Sequence, residues 1–245
     1  MKTFNLILLA LCLNVLQSVA QVAARIEYPR RGDYEDMVVS PIGQRGLIVY
    51  SFAKKTDHGK RCFKTEYFST ELKPIYTDSM LIDDDLYFYS STFDNDINYA
   101  VLRARNGAFS VLAFNAKTYK TKVTDSEYTR KGSMRDLIIH NGKMVFSSSE
   151  KRLERIGILD LASGDCRFAD LHIPGVRDRK VLILQNTILD KIIYAVVKGD
   201  RELYLARVDF NGKQLGVTSL TTEIDQTLLS ASLSKANDKY FITGT

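Results

Sequence analysis

The sequence predicts an all-β fold, a β-propeller of four-stranded antiparallel blades, and three observations carry that prediction. The first is periodicity. Beyond the leader, no stretch of ten or more residues keeps a 3.6-residue apolar face, while short runs of β-branched and aromatic residues recur between Gly, Pro, Asn and Asp. The second is turn chemistry. Asn106-Gly107, Asn141-Gly142 and Asn211-Gly212 separate apolar runs, and Asn106-Gly107 reads as a hairpin turn because both of its residues tolerate the positive φ of type I′. The third is a repeat. A hydrophobic residue followed by a small or polar one heads a descending turn at Phe68-Ser69, Phe114-Asn115, Leu159-Asp160 and Val208-Asp209, at spacings of 46, 45 and 49 residues. A period near 45 with four strands per unit is that of a propeller blade. A β-sandwich would explain the strands and leave the period without a reason.

Taken in order, the strands begin at Met37-Val38-Val39, which Pro41 and Gly43 end. GLIVYSFA follows from Gly46, then CFKTEYF up to the break at Lys73-Pro74, then IYTDSMLI. After Asp83-Asp84-Asp85 come LYFYSS, YAVLRAR, AFSVLAFN and TYKTKVT. The stretch from Asp136 to Ile173 is the best-formed copy, with LIIH, KMVFSS, RIGILDL and CRFADLHI separated by turn signals. VLIL, KIIYAVV, ELYLARVDF and KQLGVTSLT repeat it, and LLSASL and KYFITGT end the chain. The strong strands starting at Leu47, Leu86, Met144, Ile192 and Tyr240 are unevenly spaced early on, which a longer hairpin from Asp94 to Gly107 would explain. KYFITGT is the second strand of a fifth unit. Either residues 22 to 31 return to complete a five-bladed ring, or the four to five blades here are part of a larger propeller; the second is preferred, because an apolar strand is an odd terminus.

Residues 1–20 read as a signal peptide. Lys2 supplies the positive start, Phe4 to Leu16 is almost unbroken apolar sequence, and Ser18-Val19-Ala20 places small residues for cleavage after Ala20. No later run reaches the ~18 apolar residues of a membrane helix. The expected location is therefore secreted or periplasmic, with residues 21–245 as one propeller domain. Loss of Lys2 lowers the net charge from +5 to +4. The basic residues Lys54-Lys55, Arg130-Lys131, Lys151-Arg152 and Arg177 to Lys180 are dispersed among polar connections, which argues against nucleic acid. Cys62 and Cys166 remain in the mature chain, either as two thiols or as one bond, and are structural in both cases.

Leu159-Asp160-Leu161-Ala162-Ser163-Gly164-Asp165 resembles the apolar-Asp-x-x-x-Gly turn between strands three and four of bacterial extracytoplasmic propellers of the TolB-like and YVTN-like class. Val208 to Lys213 is similar and one residue shorter, whereas Asn115 lacks the Gly and Ser69 leads to Pro74. The resemblance implies a propeller and brings no functional residue with it. The absence of Trp removes the signature of WD repeats, and the absence of a Gly-Gly pair removes that of kelch repeats.

Chemistry-bearing motifs are sparse. His58, His140 and His172 lack ligand partners at short spacing, and there is no Gly-x-Ser-x-Gly elbow, phosphate loop or dinucleotide fingerprint. No catalytic residue and no cofactor is expected. Asp94, Asp96 and Asn98 alternate as oxygen donors, as at the start of a calcium loop, although the Gly and the distal Glu of that loop are missing; a solvated hairpin tip is the competing reading. The expected function is a non-catalytic binding or scaffold protein for a protein, peptide or glycan. The alternative is the propeller portion of an extracytoplasmic hydrolase or peptidase.

Overall fold

The computed structural model describes residues 34–126, 133–199, 202–220, 231–236 and 239–244. The expected signal peptide, its cleavage position and Arg130-Lys131 lie outside the described residues. The described chain is all-β, with four four-stranded antiparallel sheets and one of two strands. Sheet 1 holds β1 (Tyr34–Pro41), β2 (Leu47–Asp57), β3 (Lys60–Phe68) and β4 (Pro74–Asp83). Sheet 2 holds β5 (Leu86–Asp94), β6 (Ile97–Ala104), β7 (Phe109–Asn115) and β8 (Lys120–Ser126). Sheet 3 holds β9 (Ser133–His140), β10 (Lys143–Glu150), β11 (Leu153–Asp160) and β12 (Cys166–Asp170). Sheet 4 holds β13 (Val181–Leu189), β14 (Ile192–Gly199), β15 (Glu202–Val208) and β16 (Gln214–Leu220). Sheet 5 holds β17 (Ala231–Ala236) and β18 (Lys239–Gly244). Each sheet is a simple meander in chain order, so every neighbouring pair is joined by a short local turn.

The first strands of successive sheets lie against one another: β1 on β5, β5 on β9, β9 on β13 and β13 on β17. Each sheet thereby stacks a face on the next. Tyr50, Phe52 and Phe63 of sheet 1 meet Ala100, Leu102 and Phe114 of sheet 2. Tyr99, Val101 and Val111 on the opposite face of sheet 2 meet Met144, Phe146 and Leu159 of sheet 3. Val145, Ile156 and Ile158 then meet Ile183, Ala195 and Val197 of sheet 4. Strand alternation explains how: successive residues point to opposite faces, and both faces of the central strands are covered. That is why these strands read as continuous apolar runs in the sequence. A β-bulge interrupts the first strand of each four-stranded sheet, between Glu35 and Val38, Phe88 and Ser90, Arg135 and Ile138, and Ile183 and Gln185. A bulge raises local twist, so the four copies bend the adjoining first strands alike.

Two expectations about the second unit need correction. Asp94 to Gly107 is not a long hairpin: β5 and β6 are joined by a tight turn at Asn95-Asp96, with φ 48° and 65°. The uneven spacing arose because Leu86 starts a first strand, whereas Leu47, Met144 and Ile192 lie at the start of second strands. The second strand of sheet 2 starts at Ile97. Asn106-Gly107 is likewise not a type I′ pair. Gly107 alone is left-handed at φ 95°, and Asn106 Oδ1 accepts from the Ala108 amide at 2.8 Å inside a wider loop. Asn141-Gly142 does form the expected turn, at φ 48° and 73°.

Candidate functional site

The sheets present two ends, each built from turns. At the end carrying the β5–β6 and β9–β10 turns, acidic and amide groups fasten neighbouring sheets. Asp94 Oδ2 accepts from the Asn141 amide of sheet 3 at 3.1 Å, and Asn95 reaches the Asn141 side chain at 3.3 Å. Asp96 takes Arg45 from sheet 1 at 2.6 Å and also Lys117, and these cations hold its carboxyl below the usual range. Asn98 is fully buried; it receives the Tyr50 hydroxyl and donates to Ser40 Oγ at 2.8 Å. The calcium-candidate residues thus sit on one hairpin, and each turns to a different protein partner.

The four repeat turns have a common construction. Asp160 Oδ1 accepts from the amides of Ala162 at 2.8 Å and Ser163 at 3.2 Å. Asp209 Oδ1 accepts from Asn211 at 2.9 Å and Lys213 at 2.8 Å. Asn115 Oδ1 accepts from Lys117 and Thr118, and Ser69 Oγ from Glu71 and Lys73. Short polar side chains bind their own turn in this way, which is why such residues head it. Asp160 also meets Lys143 at 2.8 Å, and that bond with the two amides lowers its pKa to about 2. A shallow cleft of about 130 Å³ lies here, lined by Lys143, Asp160, Asp165, Arg167 and Asn211.

At the opposite end, sheet 3 and the connection to sheet 4 enclose a larger cleft of about 250 Å³. β11 contributes Glu154 and Arg155, β12 contributes Asp170, and the connection contributes His172 and Asp178. The Glu154 side chain is only 6% exposed, and Arg135 from the bulged strand β9 holds it at 2.5 Å. Arg155 Nε lies 2.6 Å from Asp170 Oδ1. Gln214 fixes the backbone at His172, accepting from its amide at 2.8 Å and donating to its carbonyl at 2.9 Å. His172 Nδ1 stands 3.7 Å from Asp178 Oδ1 with both side chains mostly exposed, beyond the reach of an orienting hydrogen bond. No Ser, Thr or Cys lines this cleft among the described residues. The arrangement can hold a charged group by ion pairing.

Sequence reasoning missed this cleft, because its parts are separated in the chain and only the meander brings them together. The one available signal was a charged residue, Glu154, immediately before the apolar run of β11. His140 Nε2 lies 2.9 Å from its neighbour Asn141, and His58 is on an exposed turn. Cys62 and Cys166 are free thiols, and burial pushes the Cys166 thiol up to about 11. Among the described residues no group of three or more His, Cys, Asp and Glu could hold a metal ion, and no helix is long and apolar enough to cross a membrane.

No known protein family matches the chain. No curated protein matches it either. Among solved structures, a Synechocystis apocarotenoid oxygenase is 8% identical with a TM-score of 0.40, over 80% of this chain and 52% of that one. Prolyl oligopeptidase B from Galerina marginata is 11% identical with a TM-score of 0.49, over 86% of this chain and 31% of that one. The chain therefore spans about half the length of the first and under a third of the second, and neither likeness bears on its activity.

Proposed function

We propose that the chain is a secreted, non-catalytic binding module built as a β-propeller, with the Glu154 cleft as its ligand site. The propeller reading is supported by the stacked four-stranded meanders, the chain of adjoining first strands and the turn resemblance to TolB-like and YVTN-like proteins. Residues 1–20 support export. The observation that carries the binding reading is Glu154, a carboxylate 94% removed from solvent yet lining a cleft. Holding a carboxylate out of water costs free energy, and Glu154 is met by Arg135, whose own side chain is 37% exposed, so its presence at a cleft suits recognition of a charged partner. That partner is a protein, peptide or glycan.

The test is array binding by the mature chain against glycans and peptides, repeated with Glu154→Gln after checking that the variant melts cooperatively. Hits that Glu154→Gln weakens support the proposal. Turnover of ester, glycoside or peptide substrates by the chain overturns it in favour of the rival reading, a propeller belonging to an extracytoplasmic hydrolase or peptidase.

A further inference from the structure

Arg135 Nη2 meets only one oxygen of Glu154, Oε2, at 2.5 Å. The other oxygen, Oε1, takes no hydrogen bond from the described residues and is not among the fully enclosed side-chain atoms that lack one. It is therefore the oxygen that opens on the cleft, while the side chain as a whole is 94% removed from solvent. A carboxylate oxygen can only accept, and held in a largely dry place it calls for a donor from outside the fold.

The remaining charges favour a cationic donor. Arg135 pairs with Glu154 and Arg155 with Asp170, one guanidinium to one carboxylate. Asp178 is left over, with His172 at 3.7 Å, beyond hydrogen-bond reach. Arg177, Arg179 and Lys180 adjoin Asp178 in the chain and do not line the cleft. A cation in the cleft completes this balance, and an anion worsens it. Leu153 and Leu171 also line the cleft. Apolar wall beside carboxylates suits a side chain with a methylene stem and a charged head. The volume of about 250 Å³ falls below the roughly 300–1,000 Å³ of sites for drug-sized ligands, which leaves room for one such side chain.

We infer that the cleft takes the Lys side chain of a partner peptide, with its ammonium donating to Glu154 Oε1, Asp178 adding its charge, and its stem against Leu153 and Leu171. The inference rests on the binding-module reading and names its partner. Lys is chosen over Arg because a single open oxygen meets a point charge, whereas the guanidinium fork asks for two.

The experiment titrates the mature chain with short, otherwise neutral peptides that carry one central Lys, each paired with the same peptide acetylated at that Lys. Acetylation keeps the stem and removes the charge, and should weaken binding roughly tenfold or more, about 1.4 kcal/mol. Glu154→Gln should weaken binding of the Lys peptide and leave the acetylated peptide little changed. Asp178→Asn, on an exposed turn where the fold is not at risk, should weaken it several-fold. Asp165→Asn, the same charge change at the other cleft, should change it little. Equal binding of the Lys and acetyl-Lys peptides, or equal losses from Asp178→Asn and Asp165→Asn, would overturn the inference. Butylamine binding as tightly as the peptides would overturn the choice of a peptide as the source of the ammonium. Array hits confined to acidic or uncharged ligands and weakened by Glu154→Gln would overturn this inference and leave the binding module standing; no array hit of any kind would count against both.

Discussion

Asp160 gathers three donors on one carboxylate: the Lys143 ammonium and the amides of Ala162 and Ser163. Its folded pKa of about 2 lies below the unfolded 3.8. The stabilisation is therefore fully present above pH 4 and is lost as pH falls toward 2. At 35% side-chain exposure, solvent screens part of it. Asp160→Ala should cost roughly 1 kcal/mol at neutral pH by loss of these bonds, and its stability gap to the parent should close between pH 4 and pH 2 in urea titrations. The Lys151-Arg152 turn, at φ 51° and 68°, predicts the opposite sign. Its Asn-Gly replacement should raise stability by about 1–2 kcal/mol, read as a higher melting temperature. At this scale the sequence was informative wherever a residue serves its own turn. Ser69, Asn115, Asp160 and Asp209 were all legible as turn heads because the groups they bind are within four residues. Asp94, Asp96 and Asn98 were legible only as acidic or polar, because Asn141, Arg45 and Tyr50 lie about 50 residues away.

Between sheets, the interfaces are specified by both packing and polar satisfaction. Tyr50, Ser40, Ser91 and Asn98 form a closed network between sheets 1 and 2, and burial raises the Tyr50 pKa. Tyr50→Phe removes the donor to Asn98 Oδ1 and should cost about 1–3 kcal/mol by leaving a buried acceptor unpaired, measurable by chemical denaturation. In sheet 3 the Phe146 ring occupies the space beside Gly157, where an added Cβ would come within 2.2 Å of it. Gly157→Ala should destabilise by about 1–3 kcal/mol through overpacking, and Phe146→Leu in the same chain should recover part of that loss. Strand identity was readable from the apolar runs and the Asn141-Gly142 turn. Strand order within the second unit was not, because Leu86 looks like the other strong starts and only pairing shows that it opens a first strand.

Among the described residues the four four-stranded sheets repeat one unit: a bulged first strand against its neighbours, two strands buried on both faces and an outer strand. The period of about 45 residues was visible because each turn head serves the same structural purpose. The Glu154 cleft was not visible, since it joins β11, β12 and the Asp178 turn across sheet 3 and the link to sheet 4. A binding module with this design should use the end that carries the charged cleft and leave its laced turns for stability. Backbone amide NMR of the mature chain during titration with a glycan or peptide that the array selects examines that claim residue by residue. The predicted result is saturable shifts confined to Leu153–Arg155, Asp170–His172 and Asp178. Shifts centred on the Asp94–Asn98 and Asp160–Asp165 turns, or none at saturating ligand, would contradict it.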